Sequence, residues 1–292
     1  MKLLLACEHH PVTPARFLAN AFDAMPDVDL RHIGTDRGGV TSITGEIRSD
    51  KAWKSMGDYQ HYWPDWRPDL VLYFDTISAH YHHSRYQDVP HIWYHIEGVM
   101  DNIMPGMAHY FHATSYGPNW EKVPDRMTWL PTAYDPAVHT PSPIPWEDRE
   151  YDVCLVGRRD PHRAACLDKL KEAGLSVFYG LGLIDEDFAA AYHNARLSLV
   201  DHFYNIVPMR TMETAATGNL LYSQWLGDYD KLEIKGVVAH PPDINQFGIV
   251  ARELLERPEE CKALVSQSME WVKPHTYAAR ARTIIDWFEE NN

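Results

Sequence analysis

The stretch YDVCLVGRRDPHRAACLDKLKE, residues 151–172, decides the fold class. It opens on a run (151–156) that ends continuously apolar, as a strand covered on both faces should be. Gly157 permits a tight turn. Asp160 and Pro161 then mark a helix start: an acceptor at the N-cap, followed by a residue whose missing N–H the first turn does not need. Strand, turn and helix in this order form half of a parallel βαβ unit. Arg158, Arg159 and Arg163 crowd the predicted helix N-terminus. Free N–H groups and the helix dipole favour an anion there, and guanidinium groups match phosphate oxygens. The bland alternative is a surface turn with solvated arginines.

Downstream the rhythm repeats. Strands are predicted over 175–179, 197–203, 219–223 and 236–239, with helices over 185–195 and 208–217. Gly218 closes the second of these as a left-handed cap. Three helical stretches, 243–255, 258–272 and 277–290, finish the chain. Pro208 opens the helix carrying Arg210 and Glu213, three apart and therefore on one face. An isolated pair of this kind is usually a solvated surface pair. Placed after a strand, the same two residues can meet a ligand, because open α/β sheets bind at the carboxyl ends of their strands.

Upstream, strands are predicted over 2–7, 28–33, 69–74, 89–95 and 110–115, with a helix from Pro14 to about residue 25. The segment 131–146 carries Pro131, Pro136, Pro141, Pro143 and Pro145, a composition that suits an interdomain linker. The expected division is a Rossmann-like N-terminal domain (1–140), a second (141–275), and a C-terminal helix (276–292) packing back on the first.

The chain has 292 residues, 45% hydrophobic, enough for two cores. Twenty-seven basic against 41 acidic residues leave a formal charge of −14, which disfavours bulk nucleic-acid binding. Residues 1–7 are apolar but short, and Glu8 follows at once: a first strand rather than a signal peptide. With no membrane-length run and four cysteines lacking Cys-x-x-Cys spacing, a cytoplasmic protein with reduced, buried thiols is expected. A Gly-x-Gly-x-x-Gly turn after the first strand, a phosphate-binding P-loop and a Gly-x-Ser-x-Gly elbow are all absent from the sequence.

The segments DVCLVGRR, ARLSLVDHF, MRTMETAATGNLL and PHTYAARARTIIDWF, preceded by WLPTAYDPAVHTP (129–141), resemble GT-B glycosyltransferases over roughly residues 89–290. The resemblance is strongest to the glycosyl transferases group 1 and the spore-maturation protein CgeB. It implies two doubly wound Rossmann-like α/β domains facing across a cleft. It also implies transfer from a nucleotide-diphosphate sugar, with that sugar nucleotide as co-substrate, no cofactor and no metal, and retention of anomeric configuration. Glu213 matches the carboxylate that holds the ribose, Arg158 a phosphate-contacting arginine beside Gly157, and Arg163 a nearby basic partner. Asn205 stands where many relatives carry a glutamate toward the donor sugar. Pro208 replaces the usual glycine-bearing turn and cannot donate a main-chain N–H.

In the N-terminal half, VPHIWYHIEG (89–98) is predicted to run into the same cleft. His95 lies near where retaining relatives place a histidine beside the donor sugar; a core histidine satisfied by a carbonyl is the alternative. His95 and Arg210 are the catalytic candidates, and His9, His10 and Glu97 the acceptor-side candidates. Histidines at 80, 82 and 83 have no evident third ligand, so no metal is expected. The acceptor is left open among glycan, protein, small molecule and modified nucleobase. A nucleotide-sugar epimerase of the same fold, or a non-catalytic assembly protein, is the alternative function.

Overall fold

A computed structural model describes residues 1–7, 13–33, 63, 65–74, 88–96, 106–115, 117–200 and 207–292. Two compact units emerge. One comprises Met1–Thr132 and Tyr277–Asn292, the other Ala133–Thr276.

The first unit holds a parallel sheet of six strands among the described residues: β1 (Lys2–Ala6), β2 (Asp29–Ile33), β3 (Leu70–Phe74), β4 (His91–His95), β5 (His109–His112) and β6 (Met127–Trp129). Their spatial order is β2-β1-β3-β4-β5-β6. Strands β3, β4 and β5 are buried at every position, which is why they read as unbroken apolar or aromatic runs rather than as alternation. Helix α1 (Pro14–Asp23) begins at a proline, as the sequence indicates, and buries Phe17, Leu18 and Phe22. A short helix α2 (Pro118–Lys122) precedes β6. The C-terminal helix α9 (Tyr277–Asn291) packs on α1, with Phe17 stacked on Tyr277 at 5.7 Å. Arg280 of α9 is buried and donates Nε to the Pro131 carbonyl at 2.7 Å, the carbonyl that Tyr94 also reaches at 3.1 Å.

Among the described residues the second unit holds five parallel strands: β7 (Tyr151–Val156), β8 (Val177–Gly180), β9 (Ala195–Val200), β10 (Leu220–Ser223) and β11 (Val237–Ala239), in the order β11-β10-β9-β7-β8. Helices α3 (Pro161–Glu172), α4 (Asp185–His193), α5 (Met209–Thr217), α6 (Gly227–Lys231), α7 (Ile244–Leu255) and α8 (Pro258–Val272) accompany them. One core lies among β7, β9, β10, α3 and α7, around Leu155, Leu167, Leu199, Tyr222 and Phe247. A second surrounds α5, with Met212, Ala215, Leu221 and Tyr229. Gly248 lets α7 approach α3, since a Cβ there would run into the Lys169 carbonyl.

Strand order reverses in each unit, between β1 and β3 and between β7 and β9. At such a reversal the crossovers leave in opposite directions and open a crevice at the carboxyl ends of the strands. The segment after β7, and α5 beyond β9, border the second reversal. All four cysteines are buried, and no helix among the described residues is long and apolar enough to cross a membrane.

Candidate functional site

The turn after β7 is built from Gly157 and its arginines. Gly157 has φ +137°, a conformation that favours glycine, and its N–H is bonded to the Gly180 carbonyl at 2.8 Å. It therefore supplies room rather than a donor. The room is used: a Cβ on Gly157 would lie 2.7 Å from a terminal guanidinium nitrogen of Arg210. Gly157 and Arg210, far apart in sequence, are thus in direct contact at the mouth of β7.

The neighbouring arginines differ in their commitments. Asp160 caps α3 by accepting from the Arg163 N–H at 3.0 Å, so a carboxylate already occupies the helix start expected to receive an anion. The Arg163 side chain is buried, with Nε 3.4 Å from the Asp160 carboxylate, and it donates to the Arg158 carbonyl at 2.9 Å. It braces the turn. Arg159 lies 3.8 Å from Asp168 and over the Tyr179 ring. Arg158 is exposed, and no carboxylate pairs with it among the described residues.

Arg210 occupies the first turn of α5, whose N-cap, Pro208, offers no side-chain acceptor to the helix amides. Its Nε is buried without a hydrogen-bond partner, and no ion pair forms with it among the described residues. Two of its neighbours are Tyr192 and Cys154. Burial pushes the Cys154 thiol up to about 12 and raises the Tyr192 phenol as well, so neither brings negative charge at neutral pH. The Tyr192 hydroxyl lies beside Ser198 and Arg210. A guanidinium is always charged, and the carboxylate whose charge reaches Arg210 is Glu213 on the same helix, without an ion pair between them.

Glu213 follows on the same helix and is 2% exposed. Its Oε1 is 3.3 Å from Nε2 of His139, which is equally buried. Nδ1 of His139 lies 3.1 Å from the Asp135 main-chain N–H and 3.0 Å from the Asp135 carbonyl, so Asp135 holds the ring with Nε2 toward the carboxylate. The ring edge-packs on Phe188 at 5.4 Å. His139 thereby fixes one oxygen of Glu213, and a carboxylate has lone pairs to spare for a diol. His139 was not singled out from the sequence. Nothing local marks it, because its partner lies on a helix far along the chain.

In the other unit, His95 ends β4. It is 1% exposed, and its Nδ1 is 3.1 Å from Nε2 of His112 at the end of β5. Burial and the adjoining His112 lower its pKa to about 3, so the ring is neutral at physiological pH. Asn205, His9, His10 and Glu97 lie outside the described residues. Among the described residues no group of three His, Cys, Asp or Glu side chains could hold a metal ion.

No family model matches the chain, and no curated protein matches it in sequence. Solved structures do. Sucrose-phosphate synthase from Thermosynechococcus elongatus superposes with a TM-score of 0.64 at 13% identity, covering 98% of both chains. HepE from Anabaena, in complex with UDP and glucose, gives 0.62 at 11% identity and covers 100% of both chains. A UDP-N-acetylglucosamine 2-epimerase gives 0.55 at 12% identity, covering 98% of this chain and 94% of its own. The chain has the GT-B fold: two Rossmann-like α/β units with parallel sheets of six and five strands.

Proposed function

We propose that the chain is a glycosyltransferase that takes a nucleotide-diphosphate sugar at the β7–β9 reversal of its second unit and passes the sugar to an acceptor. The observation that carries this reading is Arg210. Its guanidinium lies against Gly157 at the mouth of β7, in the first turn of a helix with no side-chain cap, and no carboxylate pairs with it among the described residues. Holding an unpaired cation partly buried is costly, and a diphosphate is the ligand that relieves it. Arg158 adds a second unpaired guanidinium at the same turn. Glu213, oriented by His139, is one helical turn from Arg210, where a ribose diol attached to that diphosphate can donate to it.

The chemistry follows from the charges. Cleaving the bond between the anomeric carbon and the diphosphate leaves positive charge on the sugar and negative charge on the departing oxygen. Preorganised cations and helix amides lower that barrier most, because they need not reorient as the charge develops. In this reading Arg210 and Arg158, rather than a divalent metal, carry the leaving-group charge, and the configuration at the anomeric carbon is retained. Arg163 supports the turn and does not touch phosphate. His95, neutral, is suited to a polar contact rather than to proton abstraction.

Calorimetric titration with UDP and with UDP-glucose tests the reading. Binding should be detectable in the wild-type chain and fall at least tenfold in Arg210→Ala, the effect of one lost charge-assisted contact of roughly 1.5–3 kcal/mol. Equal affinity in the two proteins would remove Arg210 from the site. The likeness to an epimerase supports a second reading, conversion of the sugar nucleotide without an acceptor. Incubation with UDP-N-acetylglucosamine alone separates the two, since an epimerised product appears only in the second.

A further inference from the structure

The contacts leading to His95 determine which of its nitrogens carries the proton. Strands β4 and β5 run parallel with His95 directly opposite His112. The Thr114 main-chain N–H, whose direction the backbone dictates, points at Nδ1 of His112 at 3.0 Å. A ring nitrogen that accepts must carry a lone pair, so the His112 proton is on Nε2. The Thr114 hydroxyl, 2.8 Å from the same Nδ1, can add a second donor there. Nε2–H of His112 then faces Nδ1 of His95 at 3.1 Å, which makes that atom an acceptor too. The remaining proton of a neutral His95 ring therefore sits on Nε2. Any other assignment sets N–H against N–H at one of these two contacts; this one leaves the Thr114 carbonyl, 3.1 Å from the same Nδ1, without a proton from the ring, and the two Thr114 donors on that atom outweigh it. His95 Nε2 is itself buried and has no hydrogen-bond partner. Trp93 closes one side of the ring, edge-on at 5.2 Å.

We propose that Thr114 and His112 form a tautomer lock that presents His95 as a fixed Nε2–H donor, so that the ligand atom it meets is an acceptor oxygen, such as a sugar hydroxyl, and not a proton to be abstracted. His112 is then a positioning residue, acting on the ligand only through His95. The lock is a property of the free protein. That its partner belongs to a sugar rests on the glycosyltransferase reading above.

The ring protonation is measured by long-range 1H–15N correlation spectra of protein labelled at histidine, with the His95 signals assigned through His95→Gln. In the wild-type chain at pH 7, His95 should show a protonated Nε2 and an acceptor Nδ1, unchanged from pH 5 to pH 8. His112→Phe should remove the donor and release His95 into a mixture of tautomers. His112→Gln, whose amide N–H can still reach Nδ1, should restore the wild-type pattern. A proton on Nδ1, or a doubly protonated ring at pH 7, overturns the proposal, as does a His112→Phe spectrum identical to wild type. The wild-type spectrum alone decides the matter if the variants fail to fold. Because no ligand is present, the outcome is independent of UDP binding, whose failure would sink the transferase reading and leave this measurement intact.

Discussion

Gly157→Ala is the most informative single change at the proposed diphosphate site, because it acts in two separable ways. At φ +137° any side chain strains the backbone, a term of about 1–3 kcal/mol that appears as lost folding stability. The new methyl would also lie 2.7 Å from a guanidinium nitrogen of Arg210, closer than such atoms can approach. The clashing group is the end of a flexible side chain, so it yields and swings away from the strand mouth. If that guanidinium meets a diphosphate, its displacement removes charge-assisted hydrogen bonds of roughly 1.5–3 kcal/mol, a ten- to hundredfold loss of UDP affinity.

A double-mutant cycle separates the two effects. UDP affinity by calorimetry and urea midpoints are measured for wild type, Gly157→Ala, Arg210→Ala and the double variant. Backbone strain should lower the midpoint by a similar amount in both backgrounds. Affinity should behave differently. Once Arg210 is gone there is nothing left to displace, so the double variant should bind UDP as Arg210→Ala does. Fully additive losses of affinity would mean that Gly157 serves the ligand without Arg210. An unchanged UDP affinity in Gly157→Ala would mean that the contact between the two residues has no bearing on binding.

Other outcomes follow from the same geometry. His139→Leu leaves the Glu213 carboxylate buried and unpartnered and should destabilise the chain by about 3–5 kcal/mol in urea unfolding, with Glu213→Gln in the same chain recovering part of the loss. His95 and His109 are held neutral by burial, with pKa values lowered to about 3 and about 4, against 6.5 when unfolded. The unfolded chain therefore binds more protons, and the stability these residues contribute is present above pH 6.5 and lost as pH falls. At pH 5 each should account for about 2 kcal/mol of that loss, and His109→Gln should flatten the urea-derived stability profile between pH 6.5 and 4.5 by one proton's slope. Gly248→Ala drives a methyl into the Lys169 carbonyl and should cost about 1–3 kcal/mol of stability, read in urea, while leaving UDP affinity unchanged.

The parts of the fold that announce themselves in the sequence are those whose signals are local. Asp160 and Pro161 fix the start of α3, and Gly218, at φ 75°, closes α5 as the sequence indicates. Strand β6 was not legible. Three residues, Met127–Trp129, are too few to show a period, and they become a strand by pairing with β5. The same division runs through the site. The crowd of arginines at 158–163 read as a phosphate cradle, yet Arg163 turns to Asp160 three residues before it and to the Arg158 carbonyl. Composition shows that cations are present but not which are already paired. The contact of Gly157 with Arg210 and that of His139 with Glu213 join residues far apart along the chain. His95 meets His112 only through the register in which β4 and β5 pair.

What folding leaves unfinished is therefore more telling than what the sequence advertises. Buried polar groups in a folded chain are nearly always satisfied, since each that is not costs about 1–3 kcal/mol. Among the described residues, Arg210 Nε and His95 Nε2 break that rule. Tyr192 and Arg210 are neighbours beside the β7 turn, and His95 ends a strand of the other sheet. Both were put forward from the sequence, Arg210 for its place at the start of a helix that follows a strand and His95 by the family resemblance. Arg280, by contrast, turns its Nε to the Pro131 carbonyl. A polar group kept buried and unpartnered persists at a cost, and that cost is why Arg210 carries the proposed diphosphate contact and His95 the proposed donor.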